Sequence, residues 1–416
     1  MSAASRDAPQ VALVGALDTK EEEYTFVRDR LALHRVGTVL VDTGVLGSPR
    51  TSPEHDRVSV AAAGGESLDS LVRTHDRAHA VEVMARGAAR LVRQLVDRGN
   101  VQGVLVLGGS NAGFVMSQIA ATLPIGVPKL LVSTIVAGDT RPYVGGSDLM
   151  MMYPIVDIAG LNSVSTPVLA RAADALAGMV VAPPMPATNG AVHKVACSMF
   201  GVTTQCVTAV REALEAAGDE VTTFHATGTG GMSMEMMIRS GMFDAAVDMT
   251  TTELADHLCG GVCDAGPHRM EAAGAHGIPQ VVSTGALDMV NFGGPETVPE
   301  RYRHRLLYRH NPIVTLMRTN VDENAELGRV LARKVNRALG PVEVVVPRLG
   351  FSQISTAGGP FHDPVADEAL IESLQSHLDP HVPLHVIEAA INDGAFSASV
   401  IDALGRVLSE KEGNKA

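Results

Sequence analysis

An alternation constrains this chain more than any single residue does. Short runs of Val, Leu, Ile and Ala, each of strand length, are followed by amphipathic segments of helix length, and many of the turns between them carry glycine. Val11–Gly15 reads as a strand and Glu21–Leu33 as a helix. Thr38–Asp42, Val101–Leu107 and Lys129–Ser133 read as further strands, with helices around His79–Arg98 and after Gly108-Gly109-Ser110. Strands buried on both faces show as unbroken apolar runs, and βα alternation places helices on both sides of a parallel sheet. After a helix over Ser165–Met179, the stretch Val180–Pro186 carries Pro183, Pro184 and Pro186, which cannot continue a helix and make a stiff connector. The alternation then restarts with Val192–Ser198, Val202–Ala217 and Glu220–His225. It continues through strands at Ala245–Asp248, Gln280–Ser283, Glu343–Val346 and Leu384–Glu388 and helices at Asp322–Leu339, Ala366–Leu378 and Phe396–Ser409. The predicted fold class is α/β: two open parallel-sheet domains, residues 1–183 and 187–416, with a cleft between them. Glu410–Ala416 is polar and expected to fray.

Composition narrows the partners. The 33 Lys and Arg against 46 Asp and Glu leave a formal net charge of −13, which argues against a nucleic-acid backbone or an anionic membrane. Aromatic residues make up 3% with no Trp, too few for a stacking platform. Cys197, Cys206, Cys259 and Cys263 form no secreted disulfide framework, and Met1–Pro9 has no apolar signal core. No stretch reaches the ~18 apolar residues of a membrane span. The expectation is a cytoplasmic protein with a small-molecule ligand, no membrane and no nucleic acid.

In open α/β sheets ligands sit where strands end and helices begin. The first such turn offers Gly15, Asp18, Thr19 and Lys20, with Asp18 or Thr19 a natural helix cap, Lys20 and Thr19 phosphate donors and Asp18 a Mg²⁺ ligand through water. Asp42 and Thr43 end the second strand, where an acid commonly holds a ribose hydroxyl. Gly108, Gly109, Ser110 and Asn111 follow a clean strand and open a helix, a natural anion site without a Walker A pattern. Gly228, Thr229, Gly230 and Gly231 repeat that logic in the second half, and Met234 breaks the dinucleotide fingerprint there. Thr250 and Thr251 add hydroxyls, although Thr250–Glu253 also reads as a capping box. Asp148, among glycines, is a second Mg²⁺ candidate. Gly145–Asp148, Asp288–Gly294 and Gly358–Asp363 read as polar turns, and Met150-Met151-Met152 as core filling or an apolar ligand wall. His257, Cys259, Cys263 and His268 lack a zinc knuckle, and helical spacing points the first two apart.

Taken together, Val14–Lys20, Val41–Gly44, Leu107–Ser110, Gly228–Gly231, Thr250–Asp256, Gly285–Gly293 and His310-Asn311-Pro312 resemble a family related to the ATP-binding N-terminal part of the tomato mosaic virus resistance protein. The resemblance implies two Rossmann-like subdomains, ATP with Mg²⁺, and a homodimer. Three functions follow as expectations. The first is an ATP·Mg-binding protein or enzyme acting on a small molecule in the interdomain cleft. The second is a nucleotide-gated regulatory binding module. The third is an ATP-independent hydrolase, lyase or isomerase of a small organic acid, with His225, Asp288, Asn291 and His362 as acid–base groups.

Overall fold

The computed structural model describes residues 8–183 and 190–413. The chain forms two compact units, Met1–Pro186 and Ala187–Ala416. Pro184, Met185 and Pro186 of the expected connector, and the boundary residue Ala187, lie outside the described residues.

In the first unit the strands β1 (Gln10–Gly15), β2 (Gly37–Asp42), β3 (Gly103–Gly108), β4 (Lys129–Ser133) and β5 (Met150–Met152) form one parallel sheet in the order β2-β1-β3-β4-β5. Strand period two splits the apolar residues between the faces. Val11 and Leu13 pack with α1 (Leu17–Leu33), whereas Ala12 and Val14 pack with α2 (Arg57–Gly64). The helices α3 (Leu68–Thr74), α4 (Arg77–Asp97) and α5 (Ser110–Thr122) add to the Ala12 face; α6 (Arg141–Val144) packs on α5, and α7 (Ser165–Val181) adds to the Val11 face. The Asp76 carboxylate starts α4 by accepting the His79 amide at 3.0 Å. The three methionines at 150–152 form an edge strand rather than a helix or loop, and Met151 and Met152 pack against the core on its two faces.

The second unit holds β6 (Lys194–Met199), α8 (Thr204–Ala216), β7 (Glu220–His225), α9 (Thr229–Arg239), β8 (Ala245–Thr250), α10 (Thr252–Cys259), α11 (Ala272–Ala275) and β9 (Gln280–Gly285). A three-stranded antiparallel sheet follows, made of β10 (Met289–Phe292), β11 (Leu307–Asn311) and β12 (Val314–Arg318) in the order β10-β12-β11. The chain ends with α12 (Val321–Val335), β13 (Val342–Pro347), α13 (Pro364–His377), β14 (Leu384–Ile387) and α14 (Gly394–Gly413). The main sheet is parallel, ordered β14-β13-β9-β8-β6-β7.

The antiparallel sheet corrects the expectation of a polar turn at Asp288–Gly294. Met289–Phe292 is buried, and Asn291 is satisfied inside by Asp256, so a polar residue sits in a core strand. Two ends also differ. α1 begins at Leu17 rather than Glu21, and Glu410–Gly413 continues α14 instead of fraying. Among the described residues no helix is long and apolar enough to cross a membrane.

Candidate functional site

The first sheet reverses its winding between β1 and β3. From β1 the chain passes through α1 to β2 on one side, then crosses back to β3 on the other. The two strands stay paired as far as Val14 and Val106. Beyond that register Gly15-Ala16 turns into α1 on one face and Gly108-Gly109 into α5 on the other. Such a switch point leaves a crevice at the carboxyl ends of the strands. Here it is a cavity of about 270 Å³ lined by Gly15, Ala16, Thr19, Lys20, Thr43, Gly108, Gly109, Ser110 and Asn111, with Arg77, Val81, Met84 and Val115 from α4 and α5. A second groove of about 410 Å³ shares Arg77, Val81 and Asn111 and adds Glu82 and Phe114.

Its chemistry favours an anion. α5 has Gly109 as its cap, with no side chain to bond the first turn, and its first helical bond runs from Gly113 to the Gly109 carbonyl at 3.1 Å. The amides of Ser110, Asn111 and Ala112 therefore have no acceptor within the helix, and they carry the positive end of its dipole. Lys20 and Arg77 bring two cations to the lining, and no carboxylate belongs to it. The Lys20 ammonium donates to the Ile158 carbonyl, which leaves two of its three donors.

The glycines divide by what surrounds them. A Cβ at Gly15 would lie 2.0 Å from the Tyr24 hydroxyl, so this glycine admits Tyr24 before any ligand. At Gly109 a Cβ would meet nothing within 4 Å, so no packing within the fold requires a bare backbone there. Gly108 has φ +145°, a conformation that favours glycine.

Thr43 and the polar turns after β1 and β3 thus converge as expected, but the acids do not. Asp42 is 1% exposed; it accepts the Leu17 amide at 3.1 Å, the Gly44 amide at 2.8 Å and Arg57 Nε at 2.9 Å, so its oxygens are engaged inside the fold. It is Asp42, rather than Asp18 or Thr19, that caps α1. Asp18 accepts the Leu46 amide at 3.2 Å, and burial raises its carboxyl above the usual range. Asp148 precedes β5 and bonds the Gly126 amide at 2.7 Å and Lys129 Nζ at 2.5 Å, at the amino end of the sheet. Asp18 follows β1 at the carboxyl end, so the two acids cannot share a cation. Among the described residues no group of three His, Cys, Asp or Glu side chains fits a metal ion. Asp18 and Asp148 therefore do not come together around one Mg²⁺ ion.

In the second unit the expected anion turn is filled from within. The Gly228 and Gly231 amides donate to Glu253 Oε1 at 2.7 and 3.0 Å. Glu253 Oε2 accepts Arg269 Nε at 2.5 Å, and Arg269, 0% exposed, also grips Asp248 and reaches Glu235 at 3.4 Å. Glu253 therefore forms no capping box with Thr250. Thr250 Oγ1 bonds Thr203 Oγ1 at 2.8 Å and Thr251 donates to the Ser283 carbonyl at 2.9 Å, both fully buried. Thr229 and Gly230 stay at the start of α9, and Gly230 has the His225 carbonyl 1.8 Å from where its Cβ would be.

The four acid–base candidates have separate partners. His225 packs its ring on Phe200 at 5.5 Å, and Asn291 bonds Asp256 at 2.8 Å. Asp288 is wholly buried and accepts Ser352 Oγ at 2.7 Å, with burial raising its carboxyl; His362 meets the Ser355 carbonyl at 3.3 Å. A buried Asp288 has no contact with solvent through which to meet a substrate. Sequence reasoning missed Arg77, Val81, Met84 and Tyr24. A signal existed for Arg77, because a cation in the first turn of α4 opposes the helix dipole unless an anion joins it.

Two open parallel α/β units, the first with a cavity at the switch point of its sheet, define a two-unit Rossmann-like protein. The chain belongs to the family described as Uncharacterised protein family (UPF0261), whose N-terminal domain matches residues 9–184 and whose C-terminal domain matches residues 193–408. It is 43% identical over 402 residues to a UPF0261 protein of Clostridium tetani (strain Massachusetts / E88), covering 96% of this chain and 99% of that one. It is 36% identical over 427 residues to the ToMV resistance protein Tm-1(GCR237) of Solanum lycopersicum, covering 97% of this chain and 56% of that one. Among solved structures, a UDP-N-acetylglucosamine 2-epimerase from Rickettsia bellii is 9% identical with a TM-score of 0.22, covering 97% of this chain and 96% of that one. That score is too low to bear on function.

Proposed function

We propose that the first unit binds a small phosphate-bearing ligand at the switch-point cavity, with ATP as the first candidate. The observation that carries this reading is the uncapped start of α5 behind the bare Gly109, facing a cavity with two cations and no acid. The family resemblance is what makes ATP the ligand to try first. A cavity of about 270 Å³ suits the phosphates, and the remainder of a nucleotide would lie along the groove by Phe114. Since the chain supplies no cluster of acids there, Mg²⁺ would arrive on the phosphates rather than on a prepared protein site.

Lys20 and Arg77 are the titratable side chains in the lining. No carboxylate, imidazole or thiol stands beside them in the lining for general acid–base work. This favours the regulatory binding module over an acid–base enzyme. Calorimetric titration with ATP and pyrophosphate, with and without Mg²⁺, tests the reading. Micromolar binding without turnover supports it, and failure of both ligands to bind sinks it. Light scattering on the same samples tests the homodimer that belongs to this reading.

A further inference from the structure

We propose that Tyr24 is a positioning residue that sets the width of the switch-point cavity, a proposal that rests on the cavity being the ligand site. Tyr24 lies on α1 and is 1% exposed. Its ring passes over Gly15, where a Cβ would be 2.0 Å from Oη and 2.4 Å from Cζ and Cε2. The hydroxyl donates to the Val14 carbonyl and accepts the Leu107 amide at 3.0 Å.

Val14 and Leu107 stand on β1 and β3, which pair in parallel through Val14 and Val106. In that register the Leu107 amide and the Val14 carbonyl are natural partners for a direct ladder bond. The phenol oxygen bonds both groups at once, at the last paired residues before the strands part. An oxygen held between two strands limits how closely they approach, where unoccupied rungs draw them to about 4.8 Å. The next residues outward, Gly15 and Gly108, line the cavity. The wedge therefore lies directly beneath the ligand site, with a glycine on β1 to admit it. Burial pushes the Tyr24 hydroxyl well above its ordinary pKa, so it keeps the proton it donates. Core packing alone accounts for the ring, which phenylalanine would supply equally. The hydroxyl shared between two strands is what packing does not require.

Tyr24→Phe keeps the ring and removes the wedge, so Val14 and Leu107 can close on each other. Crevice width is read by combining it with Thr43→Cys, which places a thiol in the cavity lining; the native cysteines are all buried. Iodoacetamide and a bulky maleimide are compared on both backgrounds. The expected result is labelling by the bulky reagent slowed about tenfold by Tyr24→Phe, with iodoacetamide little changed, and pyrophosphate affinity lowered about tenfold. Equal labelling by both reagents on both backgrounds overturns the proposal even where pyrophosphate binds. Size-selective labelling with no pyrophosphate binding by the unaltered chain overturns the ligand reading and keeps the wedge. Should Tyr24→Phe not fold, the Tyr24 phenolic proton in the unaltered chain decides by magnetic resonance: slow exchange supports the shared bond, and exchange as fast as an exposed phenol's overturns it.

Discussion

The Glu253 carboxylate accepts the amide of Gly228 at 2.7 Å, so the glycine turn after β7 already holds an anion that is part of the chain. The same carboxylate meets Arg269 at 2.5 Å in a fully buried pair. Without Glu253, Arg269 is still held by Asp248 and Glu235, and the loss falls on one buried charged bond and the glycine amides, about 1–3 kcal/mol. Glu253→Gln is expected to lower urea stability by that order while pyrophosphate binding by the first unit stays within twofold. Binding lost in parallel would mean that the second unit holds the ligand.

Gly109 gives the opposite contrast. Its Cβ position is open and its φ of −89° is negative, so a methyl there meets neither a neighbour nor the left-handed region. Gly109→Ala should therefore change stability by less than about 0.5 kcal/mol, as for an unstrained surface change. The added methyl borders the cavity, and pyrophosphate affinity should fall at least tenfold. Thermal melting and titration on one sample check both halves.

The two cations should matter unequally. Lys20 is partly buried and fixed by the Ile158 carbonyl, whereas Arg77 is exposed. Charge-assisted bonds strengthen away from water and exposed ones are screened. Lys20→Gln is expected to weaken pyrophosphate about tenfold and Arg77→Gln about threefold, each with a shallower salt dependence. A larger effect at Arg77 would contradict the geometry.

A fourth expectation concerns pH. Asp256 accepts the Cys263 amide at 2.9 Å and Asn291 Nδ2 at 2.8 Å, yet burial pushes its carboxyl from 3.8 to about 7. A carboxyl raised by folding contributes stability that is fully present below pH 3.8 and is lost as pH rises through about 7. The slope from this one group reaches at most about 1.4 kcal/mol per pH unit. Asp256→Asn should flatten that stretch and gain stability relative to the parent at pH 8. Urea curves between pH 5 and pH 8 would show it, and a gain confined to pH 5 would reverse the sign.

How far the sequence foretold this molecule depends on where each partner comes from. The runs around Val11–Val14 and Val104–Leu107 declared buried parallel strands because burial on both faces leaves a local signature. Thr43, Lys20 and Gly108–Asn111 converge because each directly follows or opens a regular element. Gly228 and Gly231 look identical to Gly108 and Gly109 in sequence, and only the fold brings Glu253 to the former pair. Asp42 was read as a ligand acid because Arg57, its partner, reaches it through a loop without periodicity. The strand Met289–Phe292 was hidden by Asn291, whose polar group is matched by Asp256 from another element.

Gly15 and Tyr24 occupy one volume between them. A methyl on the first finds room only when the second is cut back, so neither position is free to drift by itself. The two positions can change only together, so a substitution at Gly15 disturbs the tyrosine before it can report on any ligand.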